Sequence, residues 1–218
     1  MKKQFLVLGA GKFGQSIALR LQELEQEVMI VDRDMETIQQ LSDSIKLAVQ
    51  GDVTHEGFLR ELGVRNFDVV IISLGADIQG SIMVTLLLKE LGCQQIVAKA
   101  ESDLHAKVLY KIGANRVVLP EKEMGSRVAQ SLVNHNILDY INLSKDYSIV
   151  ELKVLPSWIG KPVAQINPRG AYGLNILAIK NETAFTIRIT GETRLQEHDV
   201  LLVIGETDQV ERLSRGAH

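Results

Sequence analysis

Three glycines and one aspartate hold the spacing best suited to chemistry. Gly9, Gly11 and Gly14 sit in Gly9-Ala10-Gly11-Lys12-Phe13-Gly14, a G-x-G-x-x-G run, and Asp32 ends the next apolar segment. Each glycine has a separate reason to lack a Cβ. Gly9 permits a tight turn, Gly11 lets backbone N–H groups approach a phosphate, and Gly14 lets a helix sit close to a strand. A phosphate held there lies at a helix N-terminus, where unpaired N–H groups and the helix dipole favour negative charge. Asp32 would accept hydrogen bonds from both hydroxyls of an adenosine ribose and disfavour a 2′-phosphate. Adjacent Arg33 offers an offsetting positive charge.

These residues do chemistry only if the right elements carry them. Phe5–Leu8 is an apolar run long enough for one buried parallel strand. Ile17, Ala18, Leu21 and Leu24 then follow a helical period, and Val28–Val31 forms a second strand that Asp32 terminates. Strand, glycine turn, helix, strand and acid together make the dinucleotide-binding fingerprint in its confirming context. The alternation continues with strands at Lys46–Val49, Asp68–Ile72, Gln95–Ala98 and Arg116–Leu119 and helices between them. Six strands alternating with helices predict an α/β fold, a doubly wound parallel Rossmann sheet. In that fold ligands sit outside the carboxyl ends of the strands. The glycine loop, Asp32, Asp52, Gly75, Ala76, Asp77 and Lys99 therefore converge on one cleft. Lys99 either reaches a ligand phosphate there or pairs with an acid.

From Glu121 to about Asn134 the pattern is one long helix, and after Asp139-Tyr140-Ile141-Asn142 the register changes. Short strands then follow at Ser148–Val154, Leu174–Lys180, Ala184–Thr190 and Val200–Ile204, punctuated by Pro156, Pro162 and Pro168. The expected division is 1–142, a nucleotide-binding domain with its crossover helix, and 143–218, a smaller α+β domain. A net charge of −3 over 218 residues argues against a nucleic-acid partner, because counterion release needs a basic surface. No apolar run is long enough to span a bilayer, and no cleavable signal opens the chain. Cys93 is the single cysteine, so no disulfide forms within the chain, which fits a reducing compartment. It reads as a small packing residue. His55, His105 and His135 read as solvated or capping residues on helices of the first domain. The second domain has only His198 and the terminal His218, with no zinc-type spacing. No catalytic residue is assigned. A nucleotide site fused to a domain without active-site residues reads as a sensor; the alternatives are an NAD-dependent oxidoreductase and a Rossmann-type redox sensor.

The glycine loop, Asp32, Gly51-Asp52, Gly75-Ala76-Asp77-Ile78-Gln79, Lys99-Ala100, Lys111-Ile112-Gly113-Ala114 and Pro120–Gly125 occur in an order that resembles the RCK regulators of bacterial potassium uptake, the TrkA/KtrA type. The likeness runs on through Tyr147–Glu151 and Arg169 to Lys180. It implies a cytoplasmic subunit that binds ATP or ADP in its N-terminal lobe, with NAD or NADH as the alternative. It also implies homodimers that assemble into an octameric ring at the inner face of the membrane, beneath a potassium channel subunit of the Trk or Ktr type. Lys12 stands where this family usually carries an arginine directed at the terminal phosphate of ATP. Lysine keeps the charge and loses the planar fork, which weakens the expected preference for ATP over ADP.

Two further sites follow from the resemblance. Glu121 matches the family position that meets a divalent cation, Mg²⁺ or Ca²⁺, between paired ATP molecules; otherwise it complements the helix dipole. The stretch Val163–Ile176 resembles a segment that holds cyclic di-AMP at a two-fold axis in some relatives. Arg169 would contact a phosphate, Asn175 an adenine or ribose edge, and Ala164, Ile166 and Ile176 would supply apolar cover. Arg169 is otherwise a solvated loop arginine, and Asn175 a turn cap.

Overall fold

The computed structural model describes every residue except Met1, Ala76, Asn134, His135, Thr183 and 215–218. Of the sequence-derived assignments, those at Ala76, His135 and His218 lie outside the described residues. By compactness the chain divides into two units, Met1–Pro120 and Glu121–His218.

The first unit alternates β1 (Gln4–Leu8), α1 (Lys12–Glu23), β2 (Glu27–Asp32), α2 (Met35–Ser42), β3 (Leu47–Gln50) and α3 (Glu56–Glu61). It continues with β4 (Val69–Ile72), α4 (Ile78–Glu90), β5 (Ile96–Lys99), α5 (Asp103–Ile112) and β6 (Arg116–Val118). The six strands form one parallel sheet in the order β3-β2-β1-β4-β5-β6. Successive side chains of β1 point to opposite faces, so both faces need cover. Leu6 and Leu8 pack with Val70, Ile72, Ile96, Leu88 and Leu109 on one side. Val7 packs with Ile30, Ile71, Ala18, Leu41 and Ile45 on the other. This double burial is why the central strands read as unbroken apolar runs. Cys93 is buried in the first of these clusters, and burial pushes its thiol up to about 11, which keeps it protonated and inert.

The helix α6 (Pro120–Val133) leads to the second unit. There β7 (Ile137–Asn142), β8 (Tyr147–Lys153), α7 (Val163–Ile166), α8 (Pro168–Tyr172), β9 (Asn175–Lys180), β10 (Phe185–Thr186), β11 (Val200–Glu206) and α9 (Thr207–Ser214) follow. The strands make an antiparallel sheet in the order β10-β9-β11-β8-β7. Its core gathers Tyr140, Val150, Leu152, Trp158, Ile166, Leu201, Val203 and Val210.

The structure of this unit departs from the sequence-based expectation at several points, the short helices α7 and α8 among them. Residues 137–142 pair with β8 as a strand, so α6 and β7 count with the second compact unit, whereas the sequence reading places the boundary near 143. A register shift between Ile137 and Asp139 turns both Ile137 and Tyr140 inward, which breaks the period-two alternation that marks a strand. The expected strand Ala184–Thr190 shrinks to Phe185–Thr186, because only these two residues pair with β9, opposite Lys180 and Ile179. The helix α9, with Val210 and Leu213 inward, has no counterpart in the sequence reading.

Candidate functional site

At the carboxyl ends of β1 to β4 lies a cavity of about 230 Å³. Of the residues expected to converge, Gly9, Gly11, Asp32, Arg33, Asp52, Gly75 and Asp77 line it. Gly51, Val53, Thr54, Ser73 and Leu74 join them. The backbone ladder sets this arrangement: Gly9 N–H donates to Val31 O (2.8 Å), Ser73 N–H to Leu8 O (2.7 Å) and Gly51 N–H to Asp32 O (2.9 Å). Each strand end is thereby locked to its neighbour just where the chain leaves the sheet.

Gly9 has a φ of +100°, and a Cβ there would stand 2.2 Å from Ser73 O. A Cβ on Gly14 would stand 2.1 Å from Gly9 O. The turn and the helix that follows it thus close on one another through backbone alone. Gly11 is different, because nothing lies within 4 Å of its Cβ position. It is the N-cap residue of α1, and no side chain caps that helix. The first-turn N–H groups of a helix have no intrahelical partner, so this end of α1 offers donors to an anion.

Asp32 joins the loop to the second strand. Its Oδ2 accepts from Ala10 N–H (2.6 Å) and its Oδ1 from Asp34 N–H (2.9 Å). Asp52 accepts from both the hydroxyl and the N–H of Thr54 (2.7 and 2.9 Å), and His55 Nδ1 stands 3.3 Å from its other oxygen. The Thr54 hydrogen bonds hold the Asp52 carboxyl below the usual range, helped by the charges of His55 and Arg33. Asp77 caps α4 by accepting from Gly80 N–H (2.8 Å).

Four of the described candidates do not line the cavity: Lys12, Phe13, Lys99 and Gly14, the last being buried where α1 packs against the turn. Lys12 and Phe13 begin α1, the first exposed and the second half-buried. Lys99 pairs with Glu101 at 3.1 Å, the acid-paired of its two expected arrangements. In the second unit, Glu121 is exposed in the first turn of α6. Ala164, Arg169 and Asn175 are exposed, and Arg169 edges a shallow groove together with Arg212. Ile176 is half-buried against the core. Ile166 corrects the expectation of apolar cover for a ligand: it is 7% exposed and belongs to the core, because α7 turns that side chain inward.

His105 is a second correction, since it is buried rather than solvated. Its Nδ1 faces the Glu101 N–H (3.3 Å), and its Nε2 lies 2.9 Å from Ser81 Oγ, which itself donates to Ile78 O (2.9 Å). The set is complete when the ring is neutral with its proton on Nε2. It ties α5 to the first turn of α4, the helix whose cap residue Asp77 lines the cavity. Burial lowers the His105 pKa below 6.5, and the Glu101 charge only partly opposes this. The unfolded chain therefore takes up this proton first as pH falls. Stability from His105 is complete above 6.5 and is lost as pH drops from 6.5 toward the lower folded value. Thermal unfolding of wild type and His105→Gln from pH 7.5 to 5.5 checks this. The wild-type midpoint should fall more steeply on acidification, and parallel curves would rule the network out as the cause.

Residues 5–120 match the TrkA-N domain and residues 147–215 the TrkA-C domain. The chain is 41% identical to the Ktr system potassium uptake protein C of Bacillus subtilis (strain 168), over 99% of this chain and 97% of that one. It is 42% identical to the Ktr system potassium uptake protein A of the same organism, over 96% and 95%. Among solved structures, the GsuK channel bound to NAD superimposes with a TM-score of 0.67 at 21% identity, over 96% of this chain and 38% of that one. That likeness is one of fold, and the chain spans well under half of the channel's length. With both domains matched in order and two potassium uptake relatives aligned nearly end to end, the chain belongs to the family of proteins that join a TrkA-N to a TrkA-C domain.

Proposed function

We propose that this protein is a nucleotide-sensing regulatory subunit of a membrane potassium-uptake system. The observation that carries the reading is the cleft, where an uncapped helix N-terminus faces the same cavity as a ribose-type carboxylate. ATP or ADP binds with its phosphates at Gly9, Gly11 and the start of α1 and its ribose at Asp32. NAD or NADH is the alternative occupant, favoured by the NAD-bound channel of the same fold. The sheet ends and the helices α4 and α5 change their relative stability with the nucleotide bound, because a ligand moves an equilibrium only by its differential affinity for two states.

On this reading the subunit acts at the cytoplasmic face of the membrane, as a homodimer built into an octameric ring beneath a potassium channel subunit of the Trk or Ktr type. No helix among the described residues is long and apolar enough to cross the membrane, and the ion pathway is assigned to that channel subunit. Residues 121–142 link the nucleotide lobe to the regulatory lobe. Glu121 meets Mg²⁺ or Ca²⁺ alongside ATP, since a carboxylate near clustered phosphates needs a hard cation between them. Exposed Arg169 and Asn175 hold cyclic di-AMP at a two-fold axis, where each copy presents the same groups to half of a symmetric ligand.

One ligand panel tests these assignments: thermal unfolding with ATP (with and without Mg²⁺), ADP, NAD, NADH and cyclic di-AMP, for wild type, Glu121→Gln and Arg169→Ala. ATP and ADP should raise the midpoint of wild type. The added effect of Mg²⁺ should vanish in Glu121→Gln, and the effect of cyclic di-AMP in Arg169→Ala. A response confined to NAD and NADH, with turnover of an added substrate, would replace the sensor with an oxidoreductase.

A further inference from the structure

Bound phosphates need donors, and the cavity is short of cationic ones. Its charged lining consists of the carboxylates Asp32, Asp52 and Asp77 and the single guanidinium of Arg33. Arg33 follows the end of β2, on the ribose side of the glycine loop, with Asp32 before it and the Asp52 charge within reach. On the opposite side of β1, where β4 ends, the cavity wall is Ser73.

Ser73 is only 4% exposed, yet it lines the cavity. Its backbone N–H is committed to Leu8 O, and its carbonyl stands against Gly9. The hydroxyl lies 3.2 Å from where a Cβ of Gly14 would be, so it is turned toward the glycine loop. It has no hydrogen-bond partner among the described residues. The other hydroxyl of the lining, Thr54, is already given to Asp52. The Ser73 oxygen is not sealed off from solvent, so a ligand in the cavity can reach it and take up its hydrogen bond.

The geometry points to Ser73 as a phosphate ligand: its hydroxyl donates a hydrogen bond to a phosphate oxygen of the adenine nucleotide held at the glycine loop. This rests on the nucleotide reading above and adds to it a residue outside the glycine fingerprint. Backbone N–H groups of the loop and of α1 bind the anion from one side, and the Ser73 hydroxyl binds it from the end of β4. A neutral donor suits a diphosphate bridge that must share its cavity with three carboxylates.

Calorimetric titration of wild type and Ser73→Ala with ADP and with adenosine tests the assignment. Alanine keeps the packing atom and removes only the hydroxyl. A lost hydrogen bond to a charged group should weaken ADP at least about tenfold, while adenosine, which has no phosphate, keeps its affinity. Equal losses for both ligands would make Ser73 a packing residue and overturn the proposal, as would unchanged ADP affinity. Failure of the wild type to bind ADP at all would overturn the nucleotide reading itself, and this assignment with it.

Discussion

Gly14→Ala is expected to unfold the first unit at a distinctly lower temperature and to abolish measurable nucleotide binding. Two effects compete. Alanine is the better helix former, worth about 1 kcal/mol over glycine inside a helix. Against that, the new Cβ would lie 2.1 Å from the Gly9 carbonyl oxygen, a backbone atom of a turn held to β2 by the Gly9 N–H to Val31 O hydrogen bond. A clash with a flexible side-chain tip relaxes cheaply, but this one requires the turn and α1 to separate. A clash with backbone falls at the upper end of overpacking costs, about 3 kcal/mol, so the steric term wins. The net loss should be about 2 kcal/mol, a fall in midpoint of several degrees. Gly11→Ala is the control: its Cβ meets nothing within 4 Å and its φ is −66°, so stability should stay within about 0.5 kcal/mol of wild type. Binding should still suffer in Gly11→Ala, because the added methyl occupies cavity lining. Equal stability of the Gly14 and Gly11 variants would remove the close-packing argument.

Asp32→Ala should lower ADP affinity about 100-fold. Two ribose hydroxyls donating to a carboxylate are each worth about 1.5–3 kcal/mol as hydrogen bonds to a charged group. Part of this is offset, because in the free protein the same oxygens accept from Ala10 N–H and Asp34 N–H. The substitution also releases the Ala10 N–H and so loosens the loop that faces the phosphates. A net loss of about 2.7 kcal/mol corresponds to the 100-fold figure. Calorimetry separates the two contributions: Asp32→Asn can still accept from Ala10 N–H, so it should retain more of the loop and lose chiefly the charge. Unchanged affinity in Asp32→Ala would move the ribose elsewhere. NADP should bind wild type more weakly than NAD, since its 2′-phosphate would approach Asp32 with only Arg33 in compensation.

The sequence by itself determined the first unit's strands to within a residue or two at most ends, and the alternation of helices between them. It also located the glycine loop and the acid opposite it. The reason is locality: β1, α1 and β2 form one strand–helix–strand unit, and double burial makes the parallel strands continuous apolar runs. Only the tertiary structure decided what depends on partners distant in the chain. Ser73 is an unremarkable strand-end serine until β4 pairs with β1 and brings its hydroxyl beside Gly14. His105 has the sequence surroundings of a capping residue, and Ser81 on α4, far away along the chain, is what gives its buried ring a partner. Ile166 lies in a proline-bounded stretch where the resemblance makes it apolar cover for a ligand, yet one short helical turn commits it to the core. The strand β7 is hidden by the register shift that turns two side chains inward three residues apart. Periodicity reports which face of an element is apolar; it does not report which face another element will cover, and that is settled only when the layers pack.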